Sequence, residues 1–179
     1  MARDIWLISD THFFHKNILS FKDKDGKLFR GDLFDDVNHM NEVMIENWNR
    51  VVKEGDYVYH LGDVMMGPKE DFKKLWPRLK GSKRLIVGNH DDIKFMSSGS
   101  FFKKVSMWRV FRDHGLVLTH VPMHESSFLS RRNETDKPIL NVHGHIHQNK
   151  SPTERHINVS VEAINYTPVN LEEVRDKYG

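Results

Sequence analysis

Cysteine is absent from the 179 residues. No disulfide framework can form, and no thiolate is available as a nucleophile or metal ligand. An excess of one charge is lacking too: 27 Lys and Arg stand against 25 Asp and Glu, a net charge of +2. That balance gives no electrostatic case for nucleic acid as the partner. No apolar run approaches the roughly 20 residues that span a bilayer, so no membrane partner is expected. The strand-like run from Ile5 to Ile8 begins almost at once, with no basic head or small-residue cleavage site before it. A secretory signal is therefore not read, and a cytoplasmic location is the expectation. Repeats and linker-like stretches are also missing. The chain reads as a single domain over residues 1–179, long enough to bury most of one core.

What the chain has in quantity is histidine, twelve in all. Histidine is the commonest metal ligand and the usual acid–base group near neutral pH. Without thiolates, a metal must be held by nitrogen and oxygen. Such donors favour manganese, iron, nickel, zinc or magnesium over copper(I) or iron–sulfur clusters.

The first half of the chain alternates strands with helices. Residues 4–9 form a near-continuous apolar run, read as a buried strand, and lead into Asp10-Thr11-His12. In extended chain, residues i and i+2 point to one side, so Asp10 and His12 can converge; a turn-capping Asp beside a surface His is the plainer alternative. His15 and Asn17 follow, either within reach of a substrate or ordinary loop residues. Residues 20–32 read as a surface loop or short hairpin around Asp25-Gly26. Val37 to Val52 carries apolar residues at helical spacing behind Asp35 or Asp36 as cap. Its Met and Trp stripe is core packing. A second strand, Tyr57 to Leu61, ends in Gly62-Asp63, and a helix is expected over Lys69 to Leu79, ended or kinked by Pro77. Leu85-Ile86-Val87 then leads into Gly88-Asn89-His90-Asp91.

The second half changes character. Residues 101–111 and 116–119 read as an antiparallel hairpin, with His120 at its end. A long polar loop, 121–138, carries Arg131-Arg132. Strands follow at 139–142 and 157–161, the first ending in His143-Gly144-His145-Ile146-His147, and residues 171–178 read as a terminal helix. His60 and His143 are expected to pack near the clusters; His114, His124 and His156 read as ordinary surface or structural residues. Each cluster alone has a dull explanation. Five strand ends delivering metal-binding residue types is a pattern that open α/β sheets use to build sites beyond the carboxyl ends of their strands.

The ordered set resembles the calcineurin-like metallophosphoesterase superfamily, more closely its small bacterial and phage members. Asp10-x-His12, Gly62-Asp63, Gly88-Asn89-His90-Asp91, His120 and Gly144-His145-x-His147 match the parts of that pattern in order. The resemblance implies an α/β fold of four layers, α/β/β/α, with two packed mixed sheets flanked by helices. It implies two divalent metal ions, manganese first, with nickel, zinc, iron or magnesium as alternatives. One would be held by Asp10, His12, Asp63 and His147, the other by Asp63, Asn89, His120 and His145. A shared carboxylate can hold two cations roughly 3.5–4 Å apart, where they activate water for attack on phosphorus. By the same resemblance His90 is the general acid, and Asp91 orients it.

Departures narrow the class. Val64-Met65-Met66-Gly67 follows Gly62-Asp63 where the protein phosphatases of the superfamily carry an Arg, and Asp91 stands where they carry Glu. The chain ends about thirty residues after His147, without the capping region of the nuclease branch. The expectation is a phosphodiesterase acting on a small, nucleotide-type phosphoester, as a monomer or homodimer. A monoesterase remains open, with Arg131 and Arg132 either a phosphate clamp or solvated loop charges. A nuclease would use Lys73, Lys74, Lys80, Lys83 and Arg84. A metal-binding interaction module without turnover is the alternative of another class.

Overall fold

The structure, a computed structural model, describes residues 3–128 and 139–178. Arg131 and Arg132 lie outside the described residues. Two mixed sheets face each other. The first has the order β4-β3-β2-β1-β9, built from β1 (Ile5–Ile8), β2 (Tyr57–His60), β3 (Ser82–Ile86), β4 (Lys104–Ser106) and β9 (Val169–Asn170). Only β9 runs antiparallel to its neighbour. The second has the order β5-β6-β7-β8, from β5 (Trp108–Phe111), β6 (Leu116–Thr119), β7 (Leu140–His143) and β8 (His156–Asn158), with only β5 antiparallel.

The burial of successive residues explains the continuous apolar runs. Ile8, Val58 and Leu85 point to a core shared with the helices. Leu7, Tyr59 and Ile86 point the other way, against Leu118, Val142 and Ile157 of the second sheet. A sheet buried on both faces has no polar positions to alternate. Helices α1 (Val37–Val51), α2 (Lys69–Leu75) and α3 (Ile93–Ser98) supply the outer side of the first sheet through Met44, Trp48, Phe72 and Phe95. On the far side of the second sheet, the Met123 and Phe128 segment covers His156 and Asn141. Helix α4 (Leu171–Tyr178) places Leu171 and Val174 in the core between the sheets. No described helix is long and apolar enough to cross a membrane.

Local chemistry fixes the element ends. Asp36 caps α1 by accepting from the N–H groups of Asn38 and His39. Helix α2 stops at Leu75, short of the expected Leu79, because Pro77 lacks an N–H and the chain tightens into a 3₁₀ turn over Trp76–Arg78. The expected single strand over 101–111 is corrected: it is two strands in different sheets. β4 pairs with β3, Met107 intervenes, and β5 pairs with β6. Trp48 is fully buried, stacked edge-on to Trp76, and its Nε1 donates to the Lys80 carbonyl at 3.0 Å. Trp48→Ala is expected to lower the unfolding free energy by about 3–5 kcal/mol, read as a lower urea midpoint at unchanged m.

At their carboxyl ends the two sheets are stitched together. Ser9, past β1, donates its N–H to the Val159 carbonyl, and the Val161 N–H returns to Ser9. This joint brings the ends of β1, β2 and β3 against the ends of β6, β7 and β8.

Candidate metal centre

Each strand end delivers donors to this joint. Asp10 and His12 follow β1, Asp63 follows β2, Asn89 follows β3, His120 follows β6, and His145 and His147 follow β7. Asp10, His12, Asp63, His145 and His147 all have positive φ, between 46° and 70°. Left-handed backbone costs a non-glycine residue free energy, and such strain collects at functional sites. Here it turns the chain sharply enough to aim donors from several strands at one place.

The donors form two groups. Asp10, His12 and His147 each offer an atom, all within 4.8 Å of one another, as do Asp63, His120 and His145. Asp63 stands between the groups: its Oδ2 lies 3.7 Å from His12 Nε2 and 3.4 Å from His120 Nε2. Its other oxygen accepts the His90 backbone N–H at 2.9 Å. Asn89 Oδ1 lies 2.9 Å from His120 Nε2 and 3.0 Å from His145 Nδ1. His120 Nδ1 donates to the Leu61 carbonyl at 2.7 Å, which orients Nε2 toward the cluster.

The residues fit a divalent cation. Asp10 Oδ1 and both ring nitrogens of His12 are buried without a hydrogen-bond partner. Buried polar atoms are almost always satisfied, so such atoms call for an explanation, and a cation supplies one. The electrostatics agree. Burial pushes the Asp10 carboxyl up and lowers His12 to about 2, keeping that imidazole neutral. Burial also opposes charge on Asp63, His120 and His147. For Asp63 the hydrogen bond and charge of His120 outweigh it and hold the carboxyl low. Asp63 and Asp10 raise His120, and Glu162 with Asp10 raises His147. The carboxylates favour positive charge at the cluster, so metal binding there displaces protons from His120 and His147.

Close approach explains two glycines. A Cβ on Gly88 would lie 2.2 Å from Asp63 Oδ1, and one on Gly144 would lie 2.3 Å from Asp10 Oδ2. Both contacts are far inside van der Waals distance, so neither position has room for a side chain.

The structure brings together Asp10, His12, Asp63, Asn89, His120, His145 and His147. The exposed His90 ring stands 5.9 Å from the His12 ring, and the His15 ring stands 5.6 Å from it. Asn17 is exposed on a 3₁₀ turn (Lys16–Leu19), where its carbonyl accepts from Ser20. No hydrogen bond ties its side chain to the clusters among the described residues. The expectation for Asp91 is corrected. Its carboxylate accepts from the N–H groups of Gly88 (2.8 Å), Asp63 (3.0 Å) and Val64 (2.9 Å), and none of its hydrogen bonds goes to His90. Asp91 therefore holds the Asp63 loop against the His90 loop, rather than orienting the imidazole.

His60 is fully buried at the site's floor, and burial lowers it to about 3. Its Nδ1 accepts the Gly62 N–H, so its Nε2 donates to Thr11 Oγ1, which donates to the Val64 carbonyl. His143 bonds the Gly144 carbonyl and Ser151. His156 is buried and bonds the Met123 carbonyl, a structural role. Three contributors carried no signal in the sequence. Ser160 donates to Asp10 Oδ2 at 2.9 Å. Arg30, inside the stretch read as a surface loop, is buried and donates to the Asp10 and Thr11 carbonyls. Glu162 accepts from His147 Nδ1 at 3.1 Å.

Comparison with known proteins finds relatives over nearly the whole chain. An uncharacterized protein of Methanocaldococcus jannaschii, MJ1445, is 37% identical, with 95% of this chain and 88% of that protein covered. The gene 66 protein of Mycobacterium phage L5 is 28% identical, covering 88% of this chain and 86% of its own. The crystal structure of a protein of unknown function from Aquifex aeolicus, AQ665, superposes with a TM-score of 0.71 at 27% identity, covering 98% of this chain and 99% of that one. The profile of the calcineurin-like phosphoesterases matches residues 3–158, so the chain belongs to the calcineurin-like phosphoesterase family.

Proposed function

We propose that this phosphoesterase is a two-metal phosphodiesterase acting on a small, nucleotide-type diester, with manganese as the first candidate metal. The observation that carries the reading is the position of Asp63 Oδ2 between His12 Nε2 and His120 Nε2, at 3.7 and 3.4 Å. Asp10, His12, Asp63 and His147 would hold one ion, and Asp63, Asn89, His120 and His145 the other. When bound, such a pair acts as a Lewis acid toward the phosphoryl oxygens and lowers the pKa of water. His90 is exposed beside His12, and its ring makes no hydrogen bond among the described residues. It is free to give a proton to the departing oxygen.

Charge supports a diester over a monoester. Among the described residues, the arginine that touches the donor loops is Arg30, and its guanidinium is already taken by Glu162 and by the Asp10 and Thr11 carbonyls. Among the described residues, the extra negative charge of a monoester finds no free guanidinium at the donor loops; Arg131 and Arg132 lie outside them. Three of the five basic residues that would serve a nucleic acid are engaged elsewhere. Lys73 pairs with Glu70 at 2.6 Å, Lys83 bonds the Leu79 carbonyl, and Arg84 stacks 3.9 Å from the Tyr57 ring. We expect kcat/KM to be higher for bis-p-nitrophenyl phosphate than for p-nitrophenyl phosphate. Preference for the monoester would overturn the diesterase assignment.

A further inference from the structure

Arg30 is 1% exposed. An arginine cannot shed its charge, so burying it is costly unless its donors are paired. Here nearly all are. Nε donates to Glu162 Oε1 at 2.9 Å, Nη2 to the Asp10 carbonyl at 2.7 Å, and Nη1 to the Thr11 carbonyl at 3.0 Å. Nη1 also meets Met40 Sδ at 3.0 Å. The two carbonyls belong to the turn in which Asp10 and His12 take left-handed backbone, with φ of 58° and 46°. Arg30 therefore ties down a strained turn by its backbone.

The same guanidinium reaches the third member of that group through Glu162. Glu162 Oε1 accepts both from Arg30 and from His147 Nδ1. A carboxylate only accepts, so Nδ1 carries the proton and the lone pair of the neutral ring sits on Nε2. Asp10, His12 and His147 thus all hang on one buried ion pair. None of its hydrogen bonds reaches Asp63, His120 or His145.

We propose that the Arg30 and Glu162 pair is the positioning unit of the Asp10, His12 and His147 cluster, setting its affinity for a divalent cation while leaving the Asp63, His120 and His145 cluster unchanged. The inference rests on the two-metal reading above. It makes the two ions unequal: one site is tuned from behind by a buried carboxylate, the other by the Leu61 carbonyl.

The test is a titration of metal-free protein with zinc, a diamagnetic ion suited to these donors. It is followed by imidazole nitrogen–proton NMR, which reports each histidine separately at mildly alkaline pH. In Glu162→Ala the His12 and His147 signals should respond at about 10–100-fold higher zinc than in the unaltered protein. The His120 and His145 signals should respond at unchanged zinc. Glu162→Gln, which keeps an acceptor oxygen for His147, should weaken the same cluster by less; should the alanine variant fail to fold, it carries the test. In metal-free protein, His147 should be the Nδ1–H form, and Glu162→Ala should mix the two tautomers. Equal weakening of both clusters would mean a merely structural role and overturn the proposal, as would no change in either. If the unaltered protein bound no zinc, the two-metal reading would fail, and the tautomer of His147 would still decide whether Glu162 positions it.

Discussion

Asp63→Asn is expected to cut kcat/KM by about a thousandfold or more, the several kcal/mol that metal activation supplies to a hydrolysis, and to leave fewer than two metals bound per chain. The substitution changes little else. Asn tolerates the left-handed backbone that Asp63 adopts at φ 56°, and it keeps an oxygen for the His90 N–H. What it removes is the charge between His12 and His120. With that oxygen on the His90 N–H, the amide NH2 takes the place of Oδ2, and an NH2 group cannot bridge two cations. Metal content by elemental analysis beside the kinetics checks the prediction. Two tightly held metals with unchanged activity in Asp63→Asn would show that the carboxylate is not the bridge.

His90→Ala is expected to lower kcat by about 10²–10⁴-fold, the usual range for loss of a general acid, while both metals still bind. The separation follows from geometry. The His90 ring stands beside the donors, 5.9 Å from His12, and its link to Asp63 is through its backbone N–H, which alanine retains. A general acid matters most when the departing oxygen is a poor leaving group. The loss should therefore be smaller for a nitrophenyl diester than for an alkyl one. An equal loss on both substrates would assign His90 to charge stabilisation instead, and no loss would remove it from the chemistry.

The donor residues that the structure gathers into two groups are legible in the sequence because each cluster closes a strand. Strand ends are marked by the switch from Leu85-Ile86-Val87 to Gly88-Asn89-His90, a change in polarity that needs no tertiary information. The seven donors also include near neighbours spaced i and i+2, so local geometry supports their convergence. What failed was non-local or short. The change of sheet at Met107 leaves no mark, because residues 104–106 and 108–111 both read as partly alternating β structure. Helix α3 has six residues, too few to show a helical period. Asp91 looked like a partner for the His90 beside it, yet a carboxylate facing three loop N–H groups is captured by them. Arg30 and Glu162 are 132 positions apart, and each sits in a stretch where an isolated charged residue reads as solvated. Their pairing exists only once the chain past β1 and the chain past β8 meet at Ser9 and Ser160.

The most direct test of the account is hydrolysis of bis-p-nitrophenyl phosphate by metal-stripped protein, with manganese, nickel, zinc or magnesium added back and bound metal counted in the same samples. A two-metal phosphodiesterase is expected to show no activity without metal, and activity that rises as the second ion binds, manganese being the first to try. Full hydrolysis by the stripped protein, or activity complete with a single ion per chain, would contradict it.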